Sequence, residues 1–501
     1  MVETDGAVSI GAGTDALGAV ESRGVDFIPV SERHAPPENL AWVMAGQALT
    51  FVVILTGWLP IAFGLSFLST FSAVVVGTAL GTIVLAPVAL IGPQTGTNGP
   101  VSSGAFFGVV GRILGTVISL FIALGFAALA IWTSGQAAVE GAHRLFDLSN
   151  GKPTYAVAYG AIAIITVLVA IYGHANVVAV QKLMLPTVGV LLVIGVFAFA
   201  PKVNLHYAGG AYLLGSFWST WVLSVVTVAS LPISLAPYIN DYARYIRPDA
   251  SPRKLVVSLS VGSFFGMGLP MLFATYTATA FADPTAPYVL GLVQASPGWY
   301  VVPLILIGLF GGCGQAVFCL YGVGLDTSSL IPRLRRVPAT IALSTVAVLL
   351  VYLGSFVWDA TSVVSSFILL LIVLLMPWVS VIVIGHFWRH GEYAPDDLQV
   401  FNRGERGGVY WFTGGINFRA FAAYIPAVFV GLMCLNTTLY TGPWANALKG
   451  IDLSFTSALV VSAAIYVALL VIFPEGRTIT DSSWRSGPVG EGSLTPGPTE
   501  P

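Results

Sequence analysis

Residues 219–245 read "STWVLSVVTVASLPISLAPYINDYARY". The stretch is apolar for long enough to cross a bilayer, which takes about 20 helical residues, yet Pro232 and Pro237 stand inside it. A proline in a helix interior removes a backbone hydrogen bond and crowds the preceding turn. The freed amides and carbonyls are tolerated at membrane depth only where protein or a wet cavity satisfies them. A second apolar stretch, residues 41–64, "AWVMAGQALTFVVILTGWLPIAFG", carries Gly46, Gly57 and Pro60. Both read as interrupted helices. They are the first and sixth spans of the chain, corresponding members of two five-helix halves. Interruptions at matching places in two halves point to a binding site at the membrane midplane.

Composition sets the frame for this reading. Of 501 residues, 56% are hydrophobic and only 9% charged, whereas soluble proteins carry about 25% charged residues. The chain reads as an all-α integral membrane protein. Twelve candidate spans cover residues 41–66, 69–91, 106–141, 155–173, 178–200, 213–239, 255–282, 300–325, 338–356, 360–388, 419–440 and 453–473. The third is too long for one upright crossing and is either tilted or begins with a loop. With this count, segments on one side of the membrane hold 17 of the 21 Lys and Arg. That side is the cytoplasm, with both termini in it. Residues 1–38 are Gly-rich and polar, without the basic and apolar regions of a signal peptide. They and residues 476–501 read as disordered cytoplasmic arms flanking a transporter domain at 39–475, multi-pass in the cell (inner or plasma) membrane. A net charge of −2 gives no footprint for nucleic acid. Cys313, Cys319 and Cys434 lie in apolar runs, and their spacing fits neither a disulfide framework nor a zinc site.

Three segments carry a resemblance. "GPQTGTNGPVSSGAFFGVVGR" (92–112) joins the second and third spans, "NDYARYIRPDASPRK" (240–254) ends the sixth, and "GQAVFCLYGVGLDTSSLIPRLRRVP" (314–338) ends the eighth. Together they resemble the nucleobase:cation symporter-1 family, the purine-cytosine permease type of transporter. The resemblance implies a leucine-transporter-like fold: an inverted 5+5 repeat, residues 41–200 and 213–388, plus two extra helices at 419–473. It also implies proton- or sodium-driven uptake of a planar heterocycle such as a purine, cytosine, hydantoin or allantoin. One departure stands in the loop, where the family has Ser-Arg and this chain has Ser103-Gly104.

The resemblance also nominates a site. In the third span the family places a tryptophan that stacks on the substrate and, four residues on, an amide that binds its edge. "AIWTSGQAAVEG" (130–141) offers Trp132 and Gln136 at that spacing, with Glu140 a further turn along. Aligned without gaps on Phe107-Gly108 and on residues 134–137, however, the tryptophan falls on Phe126 and its partner on Ala130. Depth agrees: counted from Arg112 at 1.5 Å per residue, Phe126 lies about 21 Å and Trp132 about 30 Å along the helix. Phe126 is therefore the expected stacking ring. Trp132 and Gln136 are expected at the outer edge, with the site assignment kept as the alternative. Gln47 and Gln315 fall near positions where the family has ligand-facing amides. An amide offers two donors and an acceptor, which suits the N–C=O edge of a nucleobase. The family's sixth-span aromatic falls on Pro232, so Ser230 and Ser234 are left as hydrogen-bonding substitutes.

Between Tyr300 and Thr327 the eighth span has no Ser or Thr, and sodium wants oxygen ligands. The expectation is a proton as coupling ion and no other cofactor. Candidate carriers are Glu140, Asp241, Asp326 and Asp359, each near a span end where carboxylates cost little. The sequence contains no HExxH, Walker loop or His/Cys cluster, so nothing supports an enzyme. The competing function is a transporter of the same fold for another small solute, an amino acid or amine, possibly sodium-coupled.

Overall fold

In a computed structural model of the chain, residues 26–170, 174–331, 336–357, 360–437, 440–448 and 450–475 are described. Among them are 10 helices long and apolar enough to cross a membrane. In chain order these are Phe67–Thr95, Ile113–Phe146, Lys152–Ala170, Val177–Phe199, Phe217–Ala243, Pro252–Ala278, Gly298–Thr327, Pro338–Phe356, Ser366–Trp388 and Ser454–Ile472. A bent pair, Asn39–Gln47 and Phe51–Ala62, precedes them, and a shorter apolar helix, Phe418–Cys434, lies before the last. Each of the twelve segments read from the sequence thus has a helical counterpart, numbered below as the first to twelfth spans.

The packing of these spans is symmetric under exchange of each span of the first five with the one five places later. The first packs on the seventh and the sixth on the second; the fifth lies on the first and the tenth on the sixth. The third contacts the ninth as the fourth contacts the eighth, while the third and eighth face each other across the centre. Shifting by an odd number of spans reverses direction in the bilayer, so the repeat is inverted. The eleventh and twelfth spans pack on each other and on the tenth, outside this pattern.

The first span is broken as expected, its two helices meeting at 71°. The cause differs from the one read in the sequence. The break is at Ala48–Thr50, where Thr50 is extended (φ −138°, ψ 154°), and neither glycine nor proline is in it. Gly46 and Gly57 instead mark close approaches: an added Cβ would lie 2.4 Å from the Gln181 carbonyl oxygen at Gly46 and 2.0 Å from that of Met271 at Gly57. Pro60 sits in the first turn of Leu59–Ala62, where its missing N–H costs nothing.

The sixth span corrects the matched-break expectation. Its ladder is interrupted at Leu235, between Phe217–Ser234 and Ala236–Ala243, but it passes as one span of 27 residues without a sharp bend. Pro237 starts the inner segment, so only Pro232 removes a bond within a helix. The third span resolves in favour of the reading that it begins with a separate segment. Residues Gly99–Phe107 form a separate short helix, and the span proper, Ile113–Phe146, has 34 residues, about 51 Å at 1.5 Å per residue.

The proposed disordered arm 1–38 is too long at its C-terminal end. Residues 26–38 join the folded body, where Arg33 is buried and donates to the carbonyls of Ile28 (2.7 Å) and Pro93 (2.8 Å). Its guanidinium lies over Phe27 at 4.8 Å. Burial lowers it to about 10, so it remains charged at neutral pH. Residues 1–25 and 476–501, with Asp359, lie outside the described residues.

Candidate functional site

The centre of the bundle is built on small residues of the eighth span. A Cβ at Gly311 would lie 2.0 Å from the Leu49 carbonyl oxygen, and one at Gly312 would strike the Ser134 hydroxyl. These glycines let the unwound residues 48–50 and the third span lie directly on the eighth. Ser134 Oγ donates to the Gly308 carbonyl at 2.8 Å. From the fifth span, Gln181 Nε2 donates to the Gly314 carbonyl at 2.9 Å, while its backbone meets Gly46.

Around this junction three buried polar atoms have no hydrogen-bond partner: Thr50 Oγ1, Gln181 Oε1 and Gln315 Oε1. Buried polar groups are paired in nearly all cases, and each exception needs a reason. Three exceptions flanking one unwound segment mark a place where a polar guest or water is expected to bind. Gln47, buried at the last helical position before the break, donates Nε2 to the Met44 carbonyl at 3.1 Å. Gln181 and Thr50 were missed in the sequence. Gln181 precedes Lys182 near the cytoplasmic start of its span and reads as interfacial; Thr50 is one threonine in an apolar run.

The third and eighth spans run antiparallel with Ala130 opposite Gly312 and Ser134 opposite Gly308. Extrapolated along that register, Phe126 lies level with Gln315 and Ala316, and Trp132 level with Phe310 beside the break. Trp132 is therefore not at the outer edge. A helix of 34 residues overshoots the roughly 30 Å of hydrocarbon, so counting depth from Arg112 pushed Trp132 too far out. The two aromatics differ in facing. Phe126 is buried and meets Phe367 of the tenth span edge-on at 5.7 Å. Trp132 and Gln136 line a cavity of about 30 Å³ with Leu55, Trp58, Leu59 and Tyr288, on the Phe51–Ala62 side of the break. That volume suits one water rather than a heterocycle.

On the sixth span Ser230 and Ser234 are buried and donate within their own helix, to Thr227 and Leu231 carbonyls at 2.6 Å each. Pro232 faces away from the centre. Its Cγ would lie 3.0 Å from a Cβ on Gly81 of the second span, so its ring is packing and not a wall of the site. Glu140 accepts the hydroxyl of Tyr155 from the fourth span. Asp241 and Asp326, expected at cheap span ends, are instead fully buried. At the loop departure, a Cβ on Gly104 would touch the stem of Arg112 at 3.7 Å. Burial lowers that arginine to about 9, and it hydrogen-bonds Asn402 and lies over Phe401 at 4.9 Å. A groove of about 900 Å³ among the first, second, fifth and seventh spans is lined by Trp42, Phe71, Phe265 and other apolar side chains. Its apolar lining offers no match to the orphaned amides at the centre.

Inverted halves, an unwound central span and orphaned amides around it define a multi-pass secondary transporter. Residues 27–456 match the family described as permeases for cytosine/purines, uracil, thiamine and allantoin, and the chain belongs to that family. It is 27% identical over 465 residues to the putative purine-cytosine permease YxlA of Bacillus subtilis, covering 90% of this chain and 96% of that one. It is 26% identical over 284 residues to the vitamin B6 transporter TPN1 of Saccharomyces cerevisiae, 55% of this chain and 46% of the relative. Its fold is similar to that of Mhp1, a nucleobase-cation-symport-1 family transporter solved closed with bromovinylhydantoin bound. The TM-score is 0.72 at 17% identity, over 92% of this chain and 98% of Mhp1. A Na+-coupled sialic acid symporter is also similar, at TM-score 0.57 and 10% identity, over 89% of this chain and 92% of that one.

Proposed function

We propose that this permease imports a nucleobase or related planar heterocycle by proton symport, through alternating access, across the cell membrane with both termini cytoplasmic. The observation that carries this reading is the set of unpaired polar atoms of Gln315, Gln181 and Thr50 around the unwound residues 48–50. A heterocycle with an N–C=O edge supplies the missing partners. Phe126, level with Gln315, supplies the ring face, and Gln47 closes the inner side. Stacking on one aromatic contributes roughly 1–3 kcal/mol.

The choice of proton rests on the eighth span. Between Tyr300 and Thr327 it has no Ser or Thr to offer a hydroxyl ligand. Uptake into proteoliposomes of radiolabelled cytosine, hypoxanthine and allantoin tests both parts. An inward proton gradient is expected to drive accumulation of at least one, unchanged when sodium is replaced and abolished by an uncoupler. Strict sodium dependence ends the coupling assignment, and failure of every heterocycle ends the cargo assignment.

A second reading keeps the fold and changes the solute to another small molecule, such as an amine or amino acid. The turned-away Pro232 favours it, because the sixth span then offers no ring to complete a sandwich. The relative named as a vitamin B6 transporter keeps a pyridine within the same search. A thermal-shift panel of purines, pyrimidines, hydantoins, pyridoxine and amino acids separates the two readings by which class raises the melting temperature.

A further inference from the structure

Two carboxyls are buried together where the third, sixth and eighth spans meet. Asp241 is 1% exposed and Asp326 is 0% exposed. A Cβ on Gly322 would lie 2.9 Å from Tyr238 Cδ1 and 3.8 Å from Asp241 Oδ2. Asp326 is one turn further along that face of the eighth span, within electrostatic reach of Asp241 and Ser119. Neither Asp326 oxygen is in hydrogen-bonding geometry, and neither is the Ser119 hydroxyl standing next to it. Asp241 is held on the other side, where its Oδ1 accepts the Gly99 amide at 3.2 Å.

Among the described side chains, the titratable and charged groups placed near the pair come from the sixth and eighth spans. The sixth brings Asp241, Tyr238, Tyr242 and Arg244; the eighth brings Cys319 and Tyr321. The third span brings only the Ser119 hydroxyl, and the short helix Gly99–Phe107 contains no titratable residue. Tyr238 is committed as a donor to the Ser119 carbonyl. Arg244, one turn on from Asp241, reaches the Tyr321 hydroxyl at 3.4 Å. Two adjacent carboxylates in a low-dielectric interior cannot both ionise cheaply. A single proton shared by the pair removes that cost, and such a pair titrates as a unit.

The pair is also placed to act on the site. Residues 315, 322 and 326 share one stripe of the eighth span, because steps of 7 and 11 are whole turns to within about 20°. Asp326 therefore lies about 16 Å to the cytoplasmic side of Gln315 along that stripe. Between them the short inner helix Ala236–Ala243 of the sixth span docks through stacked rings: Tyr242 lies on Phe318 at 5.3 Å and Tyr238 meets it edge-on at 5.7 Å.

We propose that Asp326, with Asp241 as its partner, carries the symported proton and couples its charge to the docking of Ala236–Ala243, the cytoplasmic gate. This rests on the transporter reading above and adds the residue that does the coupling. The proton from the outer side forms an O–H bond on an Asp326 oxygen, and the neutral pair lets the inner helix stay docked. When that helix lifts, the O–H bond breaks, the proton leaves to cytoplasmic water, and the two carboxylates stay hydrated and apart. No bond in the cargo changes.

Infrared difference titration of the full chain in nanodiscs, without any solute, tests the proton directly. The carbonyl stretch of a protonated carboxylic acid is expected at neutral pH. It should be lost in Asp326→Asn, lost or displaced in Asp241→Asn, and kept in Asp283→Asn, a change in an exposed loop. An unchanged band in folded Asp326→Asn overturns the proposal. In proteoliposomes, a gradient of one pH unit supports up to about tenfold accumulation for one proton per solute. Asp326→Asn should level cytosine, hypoxanthine or allantoin across the membrane while still exchanging it between equal pools. Undiminished accumulation also overturns the proposal. If wild type moves none of the three solutes, the cargo assignment fails alone, and the infrared band still decides whether Asp326 holds the proton.

Discussion

Replacing Gln315 by Met is expected to move stability and binding in opposite directions. Gln315 is 4% exposed and its Oε1 has no partner. A buried, unsatisfied polar atom costs about 1–3 kcal/mol of desolvation. Methionine has similar length and flexibility without the polar group, so it fills the space without strain. The empty Gln315→Met protein should therefore be more stable by up to about that amount. At roughly 2–4 °C per kcal/mol for chains of 150–250 residues, and less for one of 501, the melting temperature should rise by a few degrees. A bound heterocycle, in contrast, loses its partner and is left with an unpaired edge, again about 1–3 kcal/mol. At 1.4 kcal/mol per decade, affinity falls about 5- to 150-fold. Melting curves of purified wild type and Gln315→Met, each titrated with cytosine, hypoxanthine and allantoin, read both effects in one plate. The reasoning is refuted if the variant melts lower without solute and keeps the wild-type solute-induced shift. That pattern belongs to an amide holding two helices together.

Phe126→Ala should damage uptake far more than Trp132→Ala, by about the 1–3 kcal/mol of a lost stacking partner; initial rates of equal or reversed order return the site to Trp132 and Gln136. Gly311→Ala places a Cβ 2.0 Å from the Leu49 carbonyl oxygen, a backbone atom that cannot swing away. It should lower the melting temperature and abolish transport, whereas Gly354→Ala, with nothing within 4 Å of its Cβ, should do neither. Arg33→Ala removes two buried charged hydrogen bonds, each worth about 1.5–3 kcal/mol. Residues 26–38 should then become open to limited proteolysis while the melting of the bundle changes little.

The span count was legible because each crossing is a run of apolar residues, and a bilayer imposes that run whatever the packing inside. The cause of the first break was not. Gly46, Gly57 and Pro60 are the residues a sequence reader blames, but the two glycines accommodate Gln181 and Met271, and the chain unwinds at Ala48–Thr50. Unwinding there follows from contact with Gly311, 262 positions away, which no local pattern carries. Asp326 was undervalued likewise. One residue past the end of the span read from the sequence (300–325), it reads as interfacial until the sixth span is laid over it. Gln181 lay hidden because its neighbour Lys182 gives the segment a surface character.

The two halves pack as mirror partners in sequence order, so the places where they differ identify what each half does. The first and sixth spans occupy equivalent positions, yet one turns through 71° and the other keeps its axis. The first unwinds at Ala48–Thr50, next to Gly311 of the eighth span and, through Gly46, to Gln181 of the fifth. The sixth keeps its direction and ends in a short helix fastened by Tyr238, Asp241 and Tyr242. Fasteners of that kind can release without disturbing the outer part of the span. On the proposals above, the break in the first span serves the guest and the short helix of the sixth serves the gate. The stripe of the eighth span from Gln315 through Gly322 to Asp326 touches both devices. A transporter must tie the presence of cargo to the state of its inner gate, and one rigid helix face in contact with both is the shortest mechanical route for that tie.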